Sequence, residues 1–307
     1  MSTLTQKLSR PQWRQAAWIT GTAVAIFLTF RWLPTGTNLN HMDFRVDARN
    51  SIDFCDPANP QFVPVVTAVS PVTMTLSFAT PPVTGQPAEG TLVLRTSSGK
   101  VIEPVDLLVA HTKLLHLLIA DPTLTDYQHV HPEPGRTRGE WTFSFTPRLN
   151  GVYRIFADFT PVATARSLYS FVDVTPSGSV PGAAKAPAPA WIVAQEGYRF
   201  MLEPAVLPVR AGKVADLTFS IVRADGGPVA MGPVMGAYAH LVAFDDQRSG
   251  FAHLHPMETD LAQLPDAKQP VLHFKITIPR AGRYVIWAQV VLADKETFVP
   301  FWFDVAP

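Results

Sequence analysis

Short runs of alternating apolar and polar residues recur along most of the chain. Val72–Phe78, Thr91–Arg95, Trp141–Phe145, Val152–Phe159 and Leu168–Val174 form one group. Asp216–Val222, Leu272–Ile278, Tyr284–Val291 and Phe298–Val305 form a second. Period-two runs of this length, separated by Gly, Pro and Asp, predict antiparallel strands joined by turns. Neither group contains an amphipathic helical stretch. A Pro/Ala/Gly/Ser-rich segment at 176–190 divides them and reads as a semi-extended linker. The expected fold is all-β: two tandem sandwich domains, at 61–175 and 191–307.

The N-terminus has a different pattern. Lys7, Arg10 and Arg14 precede an uncharged stretch, Gln15–Phe30, which Arg31 closes. Trp13, Trp18 and Trp32 stand where an interfacial belt would lie. This predicts a cytoplasmic tail (1–14), a single-pass transmembrane signal anchor (15–33) in the inner membrane, and a stalk (34–60). The C-terminal body would then lie in the periplasm or outside the cell. A cleaved signal peptide is the alternative, but no small-x-small site follows the apolar run closely.

The runs flanking the turns carry a repeat. His116-Leu-Leu-Ile-Ala-Asp121 is followed by Tyr127-Gln-His-Val-His-Pro132, and His240-Leu-Val-Ala-Phe-Asp245 by Phe251-Ala-His-Leu-His-Pro256. His116 to His129 and His240 to His253 both span 13 positions. Gly151-x-Tyr153 and Gly282-x-Tyr284 follow, each with a phenylalanine eight residues earlier, Phe143 and Phe274. So many matches in one order imply a duplicated domain. If each pair of runs is a hairpin centred between its histidines, His116 faces His129 and His240 faces His253. His129 and His131, and likewise His253 and His255, share one strand face because they are two apart. Three imidazoles then converge in each repeat, a donor set suited to copper or zinc.

A fourth donor is sought five residues upstream. His111 occupies that position in the first repeat and Met235 in the second, an exchange that a copper site tolerates. Met231 and Met257 add sulfur nearby, Glu133 and Glu258 are candidates to ligate or orient a histidine, and His273 is a weaker candidate ligand. The competing interpretation treats the histidines as satisfied polar residues of half-buried strands. Cys55, the single cysteine, excludes an internal disulfide and reads as an incidental stalk residue.

Composition narrows the classes further. Lys+Arg and Asp+Glu number 25 each, so no basic field exists to hold nucleic acid. No Ser-His-Asp order, phosphate loop or paired carboxylates stand out. A cupin dioxygenase is disfavoured because Glu133 comes too early and the first repeat has no histidine after His131. The expectation is a non-catalytic protein.

The segments His-Leu-Leu-Ile-Ala-Asp…Tyr-Gln-His-Val-His-Pro-Glu-Pro and Gly-Ala-Tyr-Ala-His-Leu-Val-Ala-Phe-Asp…His-Leu-His-Pro resemble a bacterial group of exported proteins, loosely similar to YtkA-like and FixH-like proteins. That resemblance covers the two repeats. It implies Ig-like or cupredoxin-like modules and an association with copper or other heavy metals. Neither repeat contains a cysteine, so an ordinary blue-copper ligand set is absent. The expected function is membrane-anchored metal binding: copper buffering, sensing or delivery, with the bilayer and an envelope protein as partners. The alternative is an envelope scaffold.

Overall fold

The computed structural model describes residues 9–32, 39–45, 60–178 and 187–307. The chain forms two compact units, Met1–Asn38 and Leu39–Pro307.

The first unit contains one helix, α1 (Arg10–Trp32). The expected span is corrected here: among the described residues no helix is long and apolar enough to cross a membrane. Gln12, Arg14 and Gln15 occupy its start, and Thr20, Gly21, Thr22 and Thr29 interrupt its apolar run. Trp13, Trp18, Ile19, Phe27 and Phe30 are exposed on it.

The second unit is all-β and holds both repeats. The first repeat contributes β1 (Val72–Phe78), β2 (Ala88–Thr96), β3 (Leu107–Leu108), β4 (Leu115–Ala120), β5 (Tyr127–Val130), β6 (Glu133–Pro134), β7 (Glu140–Phe145), β8 (Tyr153–Pro161) and β9 (Leu168–Val174). The second contributes β10 (Ile192–Gln195), β11 (Tyr198–Pro204), β12 (Val214–Arg223), β13 (Met231–Gly232), β14 (His240–Asp245), β15 (Phe251–Leu254), β16 (Val271–Thr277), β17 (Gly282–Leu292) and β18 (Lys295–Val305). In the first repeat a sheet ordered β1-β2-β7-β6 faces one ordered β3-β8-β4-β5, with β9 also on β8. In the second, β10-β11-β12-β16 faces β13-β17-β14-β15, with β18 on β17. Each pair of sheets encloses its own core. Leu92, Leu117, Trp141 and Ile155 lie in one, and Phe200, Phe219, Leu241 and Phe301 in the other.

A third core joins the two repeats. Alternate residues of β4 point to opposite faces. Leu115, Leu117 and Ile119 fill the first sandwich, whereas Leu118 and Ala120 enter a separate layer with Tyr127, Phe156, Val242, Phe244, Phe251 and Trp287. The front sheets therefore pack against each other through their outer faces. β4 is buried along its whole length, and β14 along all but its last residue, Asp245. This explains why both strands read as continuous apolar runs instead of alternating ones.

Polar contacts reinforce the layer. The Arg248 guanidinium donates to the Ala120 and Val152 carbonyls, and Trp287 Nε1–H donates to the Leu124 carbonyl. The chain ahead of β1 also contributes: Val63 and Phe251 exchange backbone hydrogen bonds at 2.8 and 3.1 Å. A Cβ on the neighbouring Gly250 would collide with the Val63 carbonyl, so the close approach requires glycine there. Residues 39–45 lie within the segment expected as a stalk, and Leu39 and Phe44 join the core of the first repeat. Cys55 lies outside the described residues, as does most of the Pro/Ala linker.

Candidate metal centres

Each hairpin delivers its histidines to the layer between the repeats. In the first, Leu117 pairs with Val130 and Leu118 with His129. In the second, Leu241 pairs with Leu254 and Val242 with His253. Both hairpins are thus centred one position later than expected, and the ladder register sets His116 across from His131 and His240 across from His255. The turns cause the shift. Asp121 carboxylate oxygens accept from the Thr123, Thr125 and Asp126 amides, and Asp245 accepts from the Ser249 amide, which lengthens each loop on its far side. His129 and His253 still reach the first histidine diagonally, and Pro132 and Pro256 end the second runs.

The hydrogen bonds around the first triad decide its tautomers. His116 Nε2 lies 3.0 Å from the Ala110 carbonyl, which can only accept, so Nε2 carries the proton. His129 Nδ1 lies 2.8 Å from Gln289 Oε1. The orientation of that amide is set in turn, because Gln289 Nε2–H donates to Glu296 Oε1 at 2.6 Å. His129 Nδ1 is therefore the donor. His116 Nδ1 and His129 Nε2, 3.0 Å apart, are then both lone pairs. His131 Nε2 is buried with no hydrogen-bond partner among the described residues.

The second triad repeats this logic. His240 Nε2–H donates to the Val234 carbonyl at 3.1 Å, and His253 Nδ1 faces Asp158 Oδ2 at 3.3 Å. His240 Nδ1 and His253 Nε2 face each other at 3.3 Å, and His255 Nε2 is buried without a partner. In each triad the three candidate donor atoms lie within 4.8 Å of one another.

Two neutral imidazole lone pairs in contact repel unless a proton or a cation lies between them. Burial disfavours the proton. His116, 2% exposed, is pushed down to about 4, and His240, fully buried, to about 3, in both cases mainly by desolvation. His131 falls to about 4 for the same reason, with the Lys113 ammonium adding to the effect. His129, His253 and His255 are also lowered by burial and by neighbouring imidazoles. Imidazole nitrogens bind a tetrahedral ion at about 2.0–2.1 Å, which separates them by about 3.3 Å. The 3.3 Å of the second triad equals that spacing, and the 3.0 Å of the first is slightly shorter.

Neither triad is complete within its own repeat. Gln289 of the second repeat orients His129 of the first, and Asp158 of the first orients His253 of the second. The two sets are neighbours: the His129 and His253 ring centroids are 5.6 Å apart, and those of His116 and His253 are 5.7 Å apart. The sequence reading missed Asp158 and Gln289. Each lies five residues after the tyrosine of Gly-x-Tyr, a polar residue at matching positions in otherwise apolar strands, which was the available signal. They pair across β4–β8 with His116 and across β14–β17 with His240.

Other expected ligands are placed differently. His111 lies between the two triads, its ring centroid 6.0 Å from that of His116. It crosses to the second triad and stacks on His255 at 3.6 Å and 20°, with His253 at 5.4 Å and His240 at 5.7 Å. A stacked ring presents its face, not its lone pair. Met235, its counterpart, lines a cavity of about 630 Å³ together with His111, His255 and Met257. Both residues occupy left-handed turn positions, φ 48° and 49°. Met231 pairs with Leu292 in a short strand. Glu258 bonds His273 at 2.7 Å, and exposed Glu133 pairs with Lys113 at 3.6 Å; neither carboxylate reaches a triad histidine.

A family model described as Domain of unknown function (DUF8832) matches residues 67–175 and 193–307. That match does not support the YtkA-like and FixH-like resemblance. No curated protein matches. Among solved structures, a Corynebacterium diphtheriae protein described as membrane anchored aligns at 9% identity and TM-score 0.25, over 78% of this chain and 59% of its own. A DUF4785 family protein of Legionella pneumophila aligns at 10% identity and TM-score 0.25, over 76% of this chain and 55% of its own. The chain thus spans less than two thirds of either protein. Fibronectin(III)-like modules of Clostridium thermocellum CbhA align at 9% identity and TM-score 0.20, over 76% of this chain and 94% of theirs. Likeness this weak carries no functional argument.

Proposed function

We propose that this chain, which belongs to the family described as Domain of unknown function (DUF8832), is a non-catalytic metal-binding protein of the cell envelope with one ion held by each histidine triad. The observation that carries this reading is the paired lone pairs of His116 with His129 and of His240 with His253, held face to face in a setting that disfavours protonation. A cation removes the repulsion and engages the unpartnered nitrogens of His131 and His255. Copper is the favoured cargo over zinc, because the thioethers of Met235 and Met257 line the cavity beside the second triad and sulfur of this kind selects monovalent copper. The role is buffering or delivery. Contact with a lipid bilayer through α1 is part of the proposal, supported by its exposed Trp13, Trp18, Phe27 and Phe30 and not by spanning length.

The test is titration of the purified chain with Cu(I), Cu(II) and Zn(II), with stoichiometry read against a chelator. Two equivalents are expected in the native chain and one in the His129→Ala/His131→Ala variant. Unchanged stoichiometry in that variant would remove the first triad as a site, and absence of tight binding in the native chain would leave the histidines structural.

A further inference from the structure

We propose that the two centres are specialised: the second triad binds its ion first and presents it to ligands in the adjoining cavity, while the first holds its ion more weakly and away from that cavity. This rests on the two-centre reading above.

The first observation is the group behind each central histidine. His253 is backed by the Asp158 carboxylate and His129 by the neutral Gln289 amide. A carboxylate behind a ligating imidazole raises its basicity and brings a negative charge near the ion, whereas an amide supplies only a dipole. The duplicated strands place these groups at equivalent positions, and domain docking aims their hydrogen bonds at the other repeat's central histidine, while the Asp158 charge also acts on His116 of its own repeat.

The second is local charge. Lys113 stands three residues before His116 and its ammonium acts on His131, while its pairing partner Glu133 is 71% exposed at the side chain. The equivalent residue of the second repeat is Ala237. The lysine near the second centre, Lys275, lines the cavity but is paired with Asp216 at 3.1 Å, so the first centre meets the less compensated positive charge.

The third is access. The cavity of about 630 Å³ is lined by His255 of the second triad, by His111 and by the thioethers of Met235 and Met257; no residue of the first triad lines it. Three protein ligands beside an open cavity leave a coordination position for an incoming ligand, the arrangement that separates reactive ions from closed structural ones. The cavity is the place where a small anionic or thioether-bearing ligand would meet the second ion.

The experiment uses the full chain and Cu(II), with affinities read by chelator competition and coordination by electron paramagnetic resonance. Two binding steps are expected in the native chain. His255→Ala should remove the tighter step and His131→Ala the weaker. Asp158→Asn should weaken the tighter step about 10- to 100-fold, the range for loss of a residue that supports a ligand. The paired exchange Gln289→Glu/Glu296→Gln, which keeps the hydrogen bond between the two positions, should strengthen the weaker step and keeps the test decisive if Asp158→Asn does not fold. Added azide should change the spectrum of His131→Ala, which retains the second centre, and leave that of His255→Ala unchanged. Removal of the tighter step by His131→Ala, or equal access of azide to both centres, would overturn the specialisation while leaving two metal centres in place. A native chain with no tight copper step would overturn the two-centre reading itself.

Discussion

In the first repeat His116 donates to Ala110, and in the second His240 donates to Val234; in both, the next two histidines stand two residues apart before a proline. To this point the two centres are copies. They diverge at the groups that docking brings in. His129 meets an amide, His253 meets a carboxylate, and His111 from the first repeat covers His255 of the second. Duplication of a strand pair copies ligands that share a hairpin, but two copies facing each other exchange only what lies on their outer faces. Small differences there, Asp158 against Gln289 and His111 against Met235, then separate two otherwise equivalent sites.

The strongest way to break the comparison is to open the layer between the repeats. Phe244 is fully buried there, 5.4 Å from Tyr127 and 6.1 Å from Phe156 between ring centroids. Phe244→Ala should cost about 3–5 kcal/mol of unfolding free energy and weaken both copper steps together, because both crossed hydrogen bonds depend on docking. Denaturant unfolding and a parallel copper titration check this. Phe219→Ala, in the core of the second sandwich alone, should lower stability without weakening both steps equally.

Acid should have the next largest effect. His116 and His240 titrate at about 4 and about 3 in the folded metal-free chain, below the usual value of 6.5. Between those values and 6.5 the unfolded chain binds more protons, so stability rises with pH and falls on acidification. Each such histidine contributes a slope of up to about 1.4 kcal/mol per pH unit. The slope should begin below pH 6.5 and persist to about pH 4, because burial lowers all six triad histidines. Unfolding free energies measured from pH 7 to 3 test it, and a flat profile would contradict burial of neutral imidazoles.

Two smaller effects sharpen the difference. His111→Ala should alter the second centre more than the first, because its ring stacks on His255 at 3.6 Å but lies 6.0 Å from His116, and the affinity change at the second should be several-fold. Equal change at both centres would place His111 on the pseudo-symmetric axis instead. Lys113→Ala should strengthen the first centre by about two- to fivefold at low salt, as expected for a partly exposed charge, and lose that effect as salt is raised.

The hairpins show how much was legible. Periodicity marked the strands, and the matching segments from His116 to Tyr153 and from His240 to Tyr284 marked the duplication. Two-residue spacing placed His129 with His131, and His253 with His255, on one face. The one-position shift in register was not legible, because it comes from how Asp121 and Asp245 gather loop amides. Nor was the interface: Leu118 and Phe244 sit in apolar runs that do not say which element covers their second face. The basic flank and tryptophans of α1 point to a membrane span although its uncharged stretch is slightly short for one, and the threonines and glycine within the apolar run keep it from being apolar enough.

Local periodicity and spacing are enough for the all-β class, the repeat, and which imidazoles share a strand face. Packing of the two repeats sets the triads side by side, crosses Asp158 and Gln289 to orient them, and stacks His111 on a histidine of the other repeat. Those relations join residues about 95 to 160 positions apart through the packing of two outer sheet faces, and no local pattern encodes which polar groups such packing will bring into contact.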